Sequence, residues 1–144
     1  VELRLMLKTL EGYGIAWADV AEFAKSGLKW PRDVTCKGQQ IHDCFSENRR
    51  TSSKKLRKAG ASATMMCMHV VRHFLDTVIS SDSRTTDVAK HEVASFALLT
   101  DAVNLLCRAK HAADPRAFVE PLAEKIGQWH AAFQRAYPLR WMRR

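Results

Sequence analysis

Residues 61–79 read ASATMMCMHVVRHFLDTVI, and the spacing of their apolar members decides the fold class. Met66, Cys67, Val70, Val71, Phe74, Leu75 and Val78 recur at intervals of three and four, which gathers side chains on one face of an α-helix. With Ser62 placed to cap its start, the pattern predicts a core helix from Ser62 to about Ile79. This is also the longest apolar stretch of the chain. His69, Arg72, His73 and Asp76 interrupt it, so no segment offers the ~20 mostly apolar residues that a membrane span requires.

On the C-terminal side, Ser80 to Thr86 reads as a polar turn. A second long helix is expected from Thr86 or Asp87 to about Lys110, buried along Val93, Phe96, Ala97, Leu99, Val103, Leu106 and Cys107. Asp101 and Asn104 fall off that stripe and are expected in solvent. Asp87 near the start, and Arg108 and Lys110 near the end, complement the helix dipole. Asp114-Pro115 is a helix-start pair, but Pro121 lies deep for a helix begun there. The last helix is therefore read as starting afresh at Pro121, with Leu122, Ile126, Trp129, Phe133 and Tyr137 on its apolar face and Pro138 at its end.

On the N-terminal side, Leu3, Met6, Leu7 and Leu10 predict a short helix over Glu2 to Leu10, punctuated by Gly12 and Gly14. Trp17, Val20, Ala21, Phe23 and Ala24 predict another, closed near Ser26-Gly27 by a left-handed glycine. Trp30-Pro31 then forces an extended step. Residues 32–60 have no sustained period and form a long basic loop, shortened if Gln39 to Phe45 is a brief helix.

No strand-like alternation and no fixed repeat is visible. The expected fold is all-α: an irregular bundle of three long and two short helices with a long basic loop. Its 144 residues fit a single helical domain, residues 1–144, and 47% hydrophobic residues with only six Gly and four Pro argue for a packed core. Because it opens on Val1 and carries no leader pattern, the chain reads as a piece of a longer polypeptide.

The formal charge of +8 is unevenly placed. Arg49, Arg50, Lys54, Lys55, Arg57 and Lys58 lie within residues 49–58 without an acid, and Arg135, Arg140, Arg143 and Arg144 lie within residues 135–144 without one. Outside those ten cations the chain holds 13 basic and 15 acidic residues, which is close to neutral. Such clusters neutralise phosphates and release counterions, so nucleic acid is a candidate partner and residues 49–58 the candidate contact. The competing reading is a solvated loop and tail. Arg49-Arg50-Thr51-Ser52 also has the form of a basophilic kinase site.

Cys67 and Cys107 fall inside helical patterns and read as buried reduced thiols, consistent with an intracellular protein. Cys36, His42 and Cys44 lack the paired spacing of a structural zinc site. His69 and His73, four apart, share a helix face but have no intervening glutamate and no evident third ligand, so a polar helix face is the preferred reading. Gly12-Tyr13-Gly14 lacks a third glycine and a preceding strand, and neither a G-K-[ST] nor a G-x-S-x-G stretch occurs, which excludes Rossmann, P-loop and nucleophile-elbow chemistry. The acids, among them Asp33, Asp43, Asp76 and Glu92, show no spacing that converges on two metals. No catalytic residue, metal or cofactor is assigned.

Gly12-Tyr13-Gly14-Ile15-Ala16-Trp17, Trp30-Pro31, the segment Arg57-Lys58-Ala59-Gly60-Ala61-Ser62-Ala63, and Ser95-Phe96 with Val103 together resemble a helical region of transposase-like open reading frames. These are CACTA-type mobile elements of protist and plant genomes. The resemblance spans residues 12–137 in order. It implies a DNA-mobilisation context, and with it a nuclear site of action, in which larger proteins carry an RNase H-like core with acidic metal ligands. This chain has no strands for such a core, so that activity transfers to no residue here. What is expected is a non-catalytic helical module contacting nucleic acid, with the remainder of a parent polypeptide as a further partner. The alternative is a protein-interaction or scaffold bundle that does not bind nucleic acid.

Overall fold

The computed structural model describes residues 2–29, 41, 43–45, 61–81 and 89–138. Their fold is all-α, with two short helices, three long ones and no strand among the described residues. The helices are α1 (Glu2–Gly12), α2 (Trp17–Glu22), α3 (Ala61–Thr77), α4 (Ala89–Lys110) and α5 (Val119–Ala136). Within the expected short helix Gln39 to Phe45, Ile41, Asp43 and Cys44 are helical. The chain divides into two compact units, Val1–Met6 with Ser83–Arg144, and Leu7–Asp82. The division falls inside α1, between Met6 and Leu7.

In the Leu7–Asp82 unit, α1 ends in a Schellman motif. The Ile15 amide donates to the Leu10 carbonyl and the Gly14 amide to that of Glu11, each at 3.0 Å. Gly14 has φ +79°, which a side chain would oppose, and Leu10 and Ile15 are buried on either side of the turn. At the start of α2 the Asp19 carboxylate accepts the Ala16 amide at 2.7 Å, satisfying a donor that helix geometry leaves open. α2 buries Trp17, Val20 and Ala21, then widens into a π-helical turn over Phe23–Gly27. The left-handed glycine expected at Gly27 is a correction: Gly14 alone among the described residues has positive φ. Gly27 is needed for space, since a Cβ there would stand 2.7 Å from the Phe23 ring.

That ring meets α3, edge-on to Phe74 at 5.3 Å and tilted to His73 at 5.7 Å between centroids. α3 buries Cys67, Met68, Val70, Val71, Phe74 and Leu75, much as its period predicts. It is helical from Ala61, one residue before the expected cap position Ser62. Its far end also departs from expectation: Val78 is exposed and Ile79 is buried, because the chain leaves α geometry at Thr77 for a 3-10 turn over Ile79–Ser81. Ile41, Cys44 and Phe45 are buried in this unit as well.

In the other unit, α4 and α5 run antiparallel. Arg108 meets Phe118, Leu105 shares a cavity wall with Lys125, and Ser95 and Trp129 both reach Glu2. The turn between them is a 3-10 segment, Pro115–Phe118, whose Asp114 cap accepts the Arg116 amide at 3.0 Å. The sequence reading of this cap holds. The fresh start at Pro121 does not: α5 begins at Val119 and Pro121 is its third residue. Proline is tolerated there because the first four helical amides have no intrahelical acceptor in any case.

The buried face of α4 also differs from the expected stripe. Phe96 is fully buried, but the other fully covered residues with described side chains are Ser95, Thr100 and Ala102, while Leu106 is 58% exposed. Asp101 is half-buried rather than in solvent, and Asn104 is exposed as expected. The hydroxyls of Ser95 and Thr100 enter the core because each has an acceptor, the Glu2 carboxylate at 2.7 Å and the Phe96 carbonyl at 2.8 Å.

Candidate nucleic-acid interface

The six cations singled out from sequence, Arg49, Arg50, Lys54, Lys55, Arg57 and Lys58, lie outside the described residues. So do Thr51 of the kinase-like stretch, Cys36 and His42 of the considered zinc set, and the tail from Leu139 to Arg144.

Among the described residues, positive charge gathers where α4 turns into α5. Arg108, Lys110 and Arg116 are exposed there, with His111 beside them and Asp114 as the accompanying acid. Arg108 and Lys110 occupy the last turn of α4, where the helix carbonyls favour cations. Arg108 has a second relation that its position in the sequence does not announce. Its guanidinium lies over the Phe118 ring, 5.7 Å from the centroid, a cation–π contact across the turn. Beside this pair is an open groove of about 730 Å3 lined by Asn104, Cys107, Arg108, His111 and Phe118. A smaller cavity of about 260 Å3, with Asp101 and Lys125 in its wall, shares Asn104 and Arg108 with it.

A second polar cluster lies in the interior of the same unit. Glu2 is buried, its Oε1 accepting the Ser95 hydroxyl at 2.7 Å and its Oε2 the Trp129 indole N–H at 2.6 Å. Burial raises its pKa above the ordinary glutamate range, and the two hydrogen bonds pull partly the other way. Sequence reading missed this residue, because its partners stand 93 and 127 positions away. One turn before Ser95, Glu92 Oε2 is buried without a hydrogen-bond partner among the described residues.

His69 and His73 occupy one side of α3 in different surroundings. His69 is half-buried, and burial lowers its pKa; His73 is exposed with its ring against Phe23. Among the described residues no three His, Cys, Asp or Glu side chains converge as metal ligands would. Cys67 is buried as expected, whereas Cys107 is only half-buried at the edge of the groove. No described helix is long and apolar enough to cross a membrane.

No family model matches the chain, and no curated protein or solved structure matches it either. The resemblance to transposase-like reading frames therefore stands on its sequence landmarks alone.

Proposed function

We propose that this chain is a non-catalytic helical module of a mobile-element, transposase-like protein acting in the nucleus. Arg49, Arg50, Lys54, Lys55, Arg57 and Lys58 make its contacts with nucleic-acid phosphates. The observation that carries the reading is the partition of charge: six cations in ten residues without an acid, in a chain otherwise near neutrality outside its basic tail. A solvated loop needs no such concentration of one sign. Among the described residues, Arg108, Lys110 and Arg116 add exposed positive charge around the α4–α5 turn.

The test is association with duplex DNA across a salt series. Six phosphate contacts predict a log–log slope of about −5, and replacing all six cations with glutamine should remove most of it. Absence of salt-dependent binding at low ionic strength ends this reading.

A second reading, a protein-interaction module, is favoured by α5. Val119 is 62% and Ile126 45% exposed, seven residues apart on one flank of that helix. Its test is self-association or capture of the parent polypeptide's other segments, with Ile126→Asp as the disrupting variant.

A further inference from the structure

We propose that the groove between the C-terminal end of α4 and the Pro115–Phe118 turn is a second nucleic-acid contact, one that takes a single strand by seating a base against Phe118 and its phosphate on Arg108. This rests on the reading of the chain as a nucleic-acid binder, and it assigns part of the binding to residues distinct from the 49–58 segment.

Proteins that hold single strands pair a positively charged groove with planar side chains on which bases stack. Both parts are present here. Phe118 and the aliphatic stem of Arg108 supply apolar surface, and the ring holds the guanidinium at 5.7 Å, so the cation is positioned before a ligand arrives. No carboxylate among the described residues forms an ion pair with Arg108, which leaves its charge available to an anion. Asn104 and His111 add hydrogen-bonding groups to the wall.

Size agrees as well. The groove, about 730 Å3, falls in the range of roughly 300–1,000 Å3 typical of small-ligand sites, enough for a nucleotide. The adjoining cavity of about 260 Å3 shares Arg108 and brings Lys125 into line, so a neighbouring phosphate meets a second cation. Asp101, in the wall of that smaller cavity, opposes an anion there and places the stronger attraction at the Arg108 end. A duplex hides its base faces within the stack, whereas an unpaired strand presents them to Phe118. The chemistry therefore selects single strands.

The experiment is fluorescence anisotropy of a labelled twelve-nucleotide thymidine oligomer titrated with the whole chain at low salt. Arg108→Gln should weaken binding about tenfold and Phe118→Leu about fivefold, while Lys110→Gln, which removes the same charge from outside the groove wall, should change it less than about twofold. If Arg108→Gln and Lys110→Gln weaken binding equally, or Phe118→Leu leaves it unchanged, the groove is not the site. Replacing the six cations of residues 49–58 with glutamine separates the two proposals. Loss of binding in that variant, with the groove variants unaffected, overturns the groove alone. Retention there, with loss in the groove variants, overturns the basic segment alone. The unmodified chain gives an independent readout: the ring resonances of Phe118 and His111 should shift on adding the oligomer, and unmoved rings would refute the contact even if a variant misfolded.

Discussion

α3 and α5 have apolar stripes of similar length and period, yet α3 buries five consecutive members of its pattern, Cys67 to Leu75, and α5 buries none. Along α3 the neighbours include the Phe23 ring, which closes over Phe74 and His73. Along α5, Leu122, Trp129 and Phe133 are half-covered, whereas Val119 and Ile126 face outward. The difference teaches that a helical period records which side of a helix is apolar and leaves open how much of that side finds a partner. Trp129, Phe133 and Tyr137 partly make up the deficit by packing on one another, at 5.9 and 4.9 Å between successive rings.

The contrast predicts unequal costs for similar truncations. Phe74→Ala in α3 removes a buried ring and should cost about 3–5 kcal/mol, read as a lowered urea midpoint. A loss below about 1 kcal/mol would mean that α3 is no better packed than α5. Trp129→Phe in α5 keeps the ring contact but withdraws the indole donor from Glu2 Oε2, leaving a buried carboxylate oxygen unsatisfied. This should cost about 1–3 kcal/mol, and Glu2→Gln in the same background should show strong non-additivity in a double-mutant cycle.

Acidity distinguishes the two units by sign. Glu2, beside α4 and α5, has a raised pKa, so its folded form holds a proton over a window in which the unfolded chain has lost it. Its contribution to stability is therefore greatest below the ordinary glutamate pKa and falls as pH rises through the raised value. His69 on α3 has a lowered pKa, so its folded form stays neutral where the unfolded chain is protonated. That contribution grows as pH rises through the lowered value towards the ordinary histidine range, and it is lost on acidification. Urea midpoints across mildly acidic pH should lose the first dependence in Glu2→Gln and the second in His69→Gln. The smallest effect is expected for Ile126→Asp, within about 0.5 kcal/mol of the parent, because the side chain it replaces is already 45% exposed.

How legible these features are in the sequence follows from the range of the forces involved. The stripe of α3, the turn after α1 and the Asp114-Pro115 start are local, and residues within a few positions determine each. Val78 and Ile79 exchange roles because one tightened turn rotates the stripe, which a constant period does not register. Ser95 lies outside the apolar stripe expected for α4, and its burial is explained only by an acceptor 93 positions earlier. The charge of residues 49–58 is plain in composition, whereas the Arg108–Phe118 pair emerges only when two helices fold against each other across a turn.

The hydrogen bond between Glu2 and Trp129 joins positions 127 apart, and this orders events during synthesis. At roughly 5–20 residues per second, on the order of 6–25 s separates the making of the carboxylate from the making of its indole donor. Over that interval the first turn of α1 leaves the ribosome without its binding partner and keeps its acid hydrated. Its unit cannot close until α5 has been made, so Glu2 waits for a partner synthesised 127 residues later.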